Sequence, residues 1–460
     1  MNLFQQALSS EPVDYMRGSL NRAVLLLAIP MMLEMALESV FSVVDIFWVG
    51  HLGATAVAAV GLTESLLTIV LAVSTGLSTA TTAIIARRIG ENDGPRAALD
   101  AVQSILVGLC IALLISAPLF FFAPGLLRLL GATPEVAELG RNYARITLGS
   151  SGIILLLSLN NAIFRGAGDA AFAMRLLAAA NLINLVLDPL LIFGIGPFPK
   201  LGVEGPAVAT LIGRSLAVAY QVYRLLRGSK QICITRDSLR VNAHELWQFL
   251  RVSSVGMLQF LLEQGSWLGI IRIVSLFGAA AVAGYTIAFR IIGFALLPSL
   301  GLSNAAATLV GQSIGAKLPD RAKSSVWRTG MWNFAFLGTL SLLFLLFAPF
   351  LVGLFTQDPK ARQTAIEGLR FFSVGNFFFS FGIVFLQAFN GAGDTLTPTF
   401  INLLGFWVLE IPIAWLLGRH TSLHIMGVFA AILGAQFLAV AASTVFFLRG
   451  RWLEPRSLAD

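Results

Sequence analysis

The sequence predicts an all-α membrane protein with twelve transmembrane helices, arranged as two pseudo-symmetric six-helix bundles that form a parallel repeat. Three observations predict it. First, 57% of the 460 residues are hydrophobic and 12% are charged, with a mean hydropathy of +0.82. A soluble chain carries about 25% charged residues, so this one cannot cover the surface of two or three soluble domains. Second, the apolar residues fall in long unbroken runs, and a spanning helix needs about 20 of them. Third, the second half of the chain repeats the first at a shift of 225 residues.

The segment from Met1 to Leu20 is polar, with Glu11, Asp14 and Arg17, and lacks the apolar core of a secretory signal. Apolar stretches then follow near 23–50, 56–86, 100–123, 145–164, 176–196 and 205–224. A second set lies near 253–276, 281–311, 330–350, 371–390, 399–418 and 425–448. These runs are continuous rather than alternating, which argues against a membrane β-barrel. The expected organisation is an amino-terminal segment 1–22, a six-helix half 23–224, a linker 225–250, a second half 251–448 and a tail 449–460. Cys110 and Cys233 are too few for a disulfide framework.

Charge sets the orientation. With the amino terminus inside, 20 of the 31 Lys and Arg residues fall in inner segments, 8 in outer ones and 3 within spans. That bias is the positive-inside pattern, with both termini in the cytoplasm and the protein multi-pass in the inner membrane. The net charge of +7 therefore calls for no nucleic acid.

The repeat is ungapped over most of each half. Gly76-Leu77-Ser78 aligns with Gly301-Leu302-Ser303, and Ile89-Gly90 with Ile314-Gly315. Gly166-Ala167-Gly168-Asp169 aligns with Gly391-Ala392-Gly393-Asp394, and Gly202-Val203 with Gly427-Val428. Each half has an even number of spans, so both enter the membrane from the same side and are related by an axis along its normal. Two equivalent bundles around one axis suit alternating access, whereas a channel needs a filter repeated around a pore.

Ionisable residues inside spans cost about 2.5–3.5 kcal/mol on insertion scales and face the bundle interior or a watery cavity. The first span holds Glu34, Glu38 and Asp45. At about 100° per residue they share one helical face. Crowded carboxylates there can hold a proton or ligate a hard cation through oxygen; the alternative is an interior face satisfied by Arg and hydroxyl groups of other spans. In the fifth span Asn184 and Asp188 are four residues apart and stack on one face, with Pro189 following. In the seventh, Glu263 is the repeat mate of Glu38, whereas the mate of Asp45 is Ile270 and that of Glu34 is Gln259, so the amino-terminal half holds most of the acid. Glu64, Arg214, Arg272, Arg290 and Glu410 are further charges within spans, expected mainly as ion-pair partners; Pro30, Pro298 and Pro412 are candidate bends. The two Gly-Ala-Gly-Asp turns lack a phosphate loop's lysine and are expected as helix stops. The four His residues show no zinc spacing, and no nucleotide-binding cassette or Gly-x-Ser-x-Gly is present. An enzyme is not expected, and an ion gradient must drive any transport.

Val44-Asp45 followed by Trp48-Val49-Gly50-His51-Leu52-Gly53, Phe164-Arg165-Gly166-Ala167-Gly168-Asp169, Asp188-Pro189-Leu190-Leu191-Ile192-Phe193-Gly194 and Gly202-Val203 leading to Ala209-Thr210 together resemble the multidrug and toxic compound extrusion family, and its DinF-like branch in particular. The resemblance covers essentially the whole chain. It implies a V-shaped pair of six-helix lobes that exports organic, often cationic compounds in exchange for H⁺ or Na⁺, with no other cofactor. It further implies an amino-terminal site of Asp45, Asn184, Asp188 and Thr210, which would also be the Na⁺ ligands, a bend at Pro30 and a functional acid at Glu263. Glu34 and Glu38 are acids beyond that pattern. The expected partners are small cationic or amphipathic molecules and the bilayer, around a monomer. The rival expectations are a lipid-precursor flippase of the same superfamily and an intramembrane aspartyl enzyme.

Overall fold

The computed structural model describes residues 2–9, 13–228 and 231–453. Lys230 and Arg456, two of the expected inner cations, and the end of the tail lie outside the described residues. The first half contains α1 (Leu20–Gly50), α2 (Ala54–Gly90), α3 (Gly94–Leu129), α4 (Arg141–Gly166, with a break at Ser150), α5 (Ala170–Phe193) and α6 (Gly205–Arg227). The second contains α7 (Ala243–Val274), α8 (Ala279–Gly315), α9 (Pro319–Gly353), α10 (Pro359–Gly391), α11 (Leu396–His420) and α12 (Ile425–Arg449). No strand occurs among the described residues. Eleven of these helices are long and apolar enough to span a bilayer. The remaining one, α6, is a helix of 23 residues whose apolar run is diluted by Arg214, Tyr220 and Gln221. Arg214 turns toward the acids of α1 instead of lipid.

Several helices overrun their apolar stretches. The linker expected to end at 250 ends at Asn242, whose side chain accepts from His244 N at 3.0 Å and starts α7. Asp93 and Asp358 cap α3 and α10 in the same way, ahead of the hydrocarbon-matched residues. A polar cap starts a helix in the interface, where hydropathy carries no information.

The Gly-Ala-Gly-Asp turns are helix stops, as expected. Gly168 and Gly393 both adopt φ +84°, which favours glycine. Asp169 N then donates to Phe164 O at 2.8 Å and Asp394 N to Phe389 O at 2.9 Å, closing each helix end.

Helix neighbours repeat across the two halves: α1 packs on α5 as α7 on α11, α2 on α4 as α8 on α10, and α5 on α6 as α11 on α12. Between halves, α1 crosses α8 and α7 crosses α2. Glycines permit both crossings. A Cβ on Gly76 would lie 2.6 Å from Gly256 C, and one on Gly301 would lie 2.6 Å from Met31 C. Gly301 is the repeat mate of Gly76, and Gly256 that of Met31, so the two contacts are the same contact related by the pseudo-twofold axis. Gly90 meets Gln312 and Gly315 meets Arg87 under the same symmetry, with a Cβ 2.8 Å from Gln312 C and 3.0 Å from Arg87 C.

The hydrogen bonds joining the halves gather on the face that carries the amino terminus. Gln312 Nε2 donates to Gly166 O at 3.0 Å, and Arg88 Nη2 to Glu245 Oε2 at 3.4 Å. Tyr15 lies between the halves: its hydroxyl donates to Gly168 O at 2.9 Å, and its carbonyl accepts from Arg321 Nη2 at 2.6 Å. Burial, and then the Asp169 carboxylate, pushes the Tyr15 phenol up, so it stays a donor. Toward the opposite face the arrangement differs. Glu38 on α1, Glu64 on α2, Glu263 on α7 and Arg290 on α8 all lie beyond the glycine crossings and are exposed. Hydrocarbon cannot be what mid-span charges meet. They mark a cleft between the halves, closed at the amino-terminal face and open at the other.

Candidate functional site

Three helices converge in the part of the first half that lies away from the amino-terminal face. On α5, Asn184 and Asp188 are one turn apart and buried, at 7% and 0% exposure. α1 brings Asp45 and α6 brings Thr210. Gly213, one turn beyond Thr210, lets α6 close on α5, since a Cβ there would lie 2.7 Å from Ala180 O. With its amide oriented to satisfy both ends, Asn184 donates to Asp45 Oδ1 at 3.1 Å and to Asp188 Oδ2 at 3.2 Å. Its oxygen accepts from Thr210 Oγ1 at 2.8 Å. Asp45 and Asp188 also lie within hydrogen-bonding reach of each other. The shared amide gathers the two carboxyls on one site, where a proton or a cation can bridge them.

The other acids of α1 face the same side but meet different helices. Glu34, 2% exposed, accepts from Arg165 Nη1 of α4 at 2.8 Å and from Asn161 Nδ2 at 3.2 Å. Gln221 of α6 completes the network by donating to Asn161 Oδ1 at 2.7 Å. Glu34 is thus held in a structural ion pair, apart from the Asp45 cluster. Replacing only one member of a buried pair strands the other charge, at a cost of about 3–5 kcal/mol. Glu34→Leu is therefore expected to lower the thermal midpoint in detergent sharply, and Glu34→Leu with Arg165→Leu to recover much of the loss. A single variant as stable as the parent would contradict this assignment.

Glu38 is 3.7 Å from Arg214 Nη2 at the cleft wall, and Arg214 also lies within electrostatic reach of Asp45. Glu64 lies within electrostatic reach of both Asp45 and Arg290 of the other half. Glu263 faces the cleft from α7 and makes no ion pair among the described residues. The structure therefore unites Asp45, Asn184, Asp188 and Thr210, sets Glu38 beside them, and keeps Glu34 and Glu263 apart. Pro30 is inside α1 at the crossing, next to Met31, about four turns from Asp45. The crossing glycines were legible in the repeat, but their contact was not. Glu64 was visible only as one more charge within a span.

Among the described residues no group of three or more His, Cys, Asp or Glu converges as a metal site. The cluster offers two carboxyls, an amide and a hydroxyl at the edge of an open cleft, an arrangement that can bind and release a single positive charge.

Comparison with known proteins agrees with this architecture. A family model described as MatE matches residues 30–190 and again 257–416, once in each half at nearly the repeat offset. Probable multidrug resistance protein NorM of Thermotoga maritima is 25% identical over 455 residues, covering 98% of this chain and 96% of its own. Probable multidrug resistance protein YoeA of Bacillus subtilis is 28% identical over 424 residues, 90% of each chain. A solved structure of the outward-facing conformation of a multidrug resistance MATE family transporter superposes with a TM-score of 0.89 at 27% identity, covering 97% of this chain and 99% of that one.

Proposed function

We propose that this chain, which belongs to the MatE family of multi-pass membrane transporters, is a secondary antiporter that exports cationic or amphipathic organic compounds in exchange for H⁺. Its termini would lie in the cytoplasm and its cleft would open outward. The observation that carries the reading is the contact between Asp45 and Asp188 at the cleft wall. A proton entering from outside neutralises the pair and removes the negative charge that favours a cationic substrate. Release of that proton inside restores the charge before the next substrate binds. The two states then differ in affinity for the same substrate, which is what coupling requires.

H⁺ and Na⁺ both suit carboxylates. The Asn184 amide favours the proton, because its N–H groups point at both carboxyls and its oxygen is taken by Thr210. In that orientation a Na⁺ ion would meet two N–H donors, and the amide would have to turn over to offer it oxygen. A lipid-precursor flippase would need a cationic cavity for phosphate, whereas Asp45, Glu38, Glu64 and Glu263 outnumber Arg214 and Arg290 at this cleft.

Export of ethidium measured in inverted vesicles tests the coupling ion. An imposed pH gradient is expected to drive it, and a Na⁺ gradient at equal pH is expected to leave it at background. Transport driven by Na⁺ alone would overturn the proton reading.

A further inference from the structure

The second half contains a buried acid that this antiport scheme leaves unused. Glu410, in the middle of α11, is 7% exposed. Among the described residues it has no ion pair and no side-chain hydrogen bond. Of the charged groups on the helices around it, Glu263 and Arg272 on α7, Arg290 on α8, Arg370 on α10, Arg449 on α12 and Arg419 on α11 itself stay out of its electrostatic reach. Tyr285 of α8 is within that reach. A buried carboxyl inside a span without a countercharge is costly, and functional pathways are where such groups occur.

The backbone around it is also unusual. Leu403 to Glu410 form a π-helix inside an otherwise α-helical span, and π segments are rare and concentrated at functional sites. This segment is seated on α7. Trp407 Nε1 donates to Leu262 O at 2.9 Å, and a Cβ on Gly265 would lie 2.9 Å from the Trp407 ring. Leu262 adjoins Glu263, which faces the cleft.

The repeat gives Glu410 its meaning. The mates of Asp45, Asp188, Asn184 and Thr210 are Ile270, Ile413, Leu409 and Ala435, so the four-residue cluster is replaced by apolar side chains. Ile270 and Ile413 pack in one core with Tyr285, Phe372 and Phe429. A π turn holds roughly one more residue than an α turn, so Glu410 comes round at the angle Leu409 would take in an uninterrupted α-helix. That is the position of Asn184 in the first half. The π segment thus places an acid in the pseudo-symmetric copy of the site, where the aligned sequence shows leucine.

We propose that Glu410 is a second proton-binding site, in the carboxyl-terminal half, buried by the π segment of α11 and reached from the cleft when that segment returns to α geometry. The return would turn Glu410 by about 100°, off the core face. The step forms one O–H bond at the carboxyl and later breaks it on the other side, with no other reactant. A metal ion is excluded as the occupant by the chemistry of the surroundings, which offer one carboxyl, one phenol and aliphatic groups, too few oxygens for a hard cation. The transport consequence rests on the antiport reading above; proton binding itself does not.

Because a buried Glu can titrate as high as about 8–9, infrared difference spectra of the purified full chain between about pH 6 and about pH 9 separate the two. A protonated-carboxyl C=O band is expected to vanish in Glu410→Gln and to persist in Asp45→Asn, Asp188→Asn. An unchanged band in Glu410→Gln, or a band that responds to Na⁺ at fixed pH, would overturn the proposal. In proteoliposomes clamped at zero membrane potential, one pH unit is worth about tenfold accumulation of ethidium per proton exchanged. The parent is therefore expected to reach about hundredfold and Glu410→Gln about tenfold, with Glu410→Asp retaining the parent ceiling. Equal ceilings in parent and Glu410→Gln would also overturn it. Absence of gradient-driven export in the parent would sink the antiport reading while leaving the infrared result decisive for Glu410.

Discussion

The double substitution Asp45→Asn, Asp188→Asn is expected to reduce proton-driven export of ethidium by about a hundredfold, near the upper end of coupling between two sites. Asn184 holds these two carboxyls on one amide, so that a proton taken up by either changes the charge of the whole site. With amides in their place the pair exchanges no proton, and its contribution to the pH dependence of substrate affinity is lost. Asn is nearly isosteric with Asp, and Asn184 and Thr210 still supply partners, so the fold is expected to survive. Equilibrium binding of ethidium checks this directly: the parent binds more tightly as the proton is lost, and the double variant should show a much weaker dependence on pH. Undiminished transport by the double variant would remove the pair from the mechanism. The single variants are expected to fall between, because each leaves one carboxyl that can still take a proton.

The second large effect is expected at the crossing of the halves. Gly76→Val and Gly301→Val each drive a branched side chain into backbone, of Gly256–Met257 and Met31–Met32 respectively, and backbone cannot give way as a side-chain tip can. Overpacking of this kind costs about 1–3 kcal/mol per site. The cost falls on the conformation in which the amino-terminal face is closed, so the population should shift toward opening there. Spin labels at the amino-terminal-face ends of α2 and α8 should report a longer distance in the variants than in the parent. The pseudo-twofold axis adds a stricter expectation: Gly76→Val and Gly301→Val should act alike, since they disrupt the same contact. Val at Gly434, where a Cβ would meet nothing within 4 Å, is the control and should leave the distance unchanged. A parent-like distance in both crossing variants would show that the helices slide past the added bulk.

Much of the architecture was legible before any coordinates. Spans could be located because hydrocarbon tolerates little charge, and the repeat could be aligned because Gly76, Gly90, Gly168 and their mates occupy equivalent places. Helix ends were less legible. Asn242, Asp93 and Asp358 start their helices by capping, in an interfacial region where apolar content is uninformative. Of the site, Asn184 and Asp188 followed from four-residue spacing, whereas Thr210 rested on resemblance. The acids of α1 divided in a way no helical wheel could predict. Glu34, Glu38 and Asp45 share a face, yet Arg165 takes the first, Arg214 approaches the second, and Asp188 meets the third.

The sequence by itself determined that this chain is helical, lies in a membrane, is built twice over and retains acids where the bilayer penalises them. Those properties follow from composition and periodicity, which depend only on which residues occur and at what intervals. The tertiary structure decided which acids are structural and which border the cleft, because burial and pairing depend on the helix that each side chain meets. It also decided that Glu410 stands where alignment places a leucine. A π turn shifts angular position by one residue without changing the sequence, and only the folded backbone records that shift.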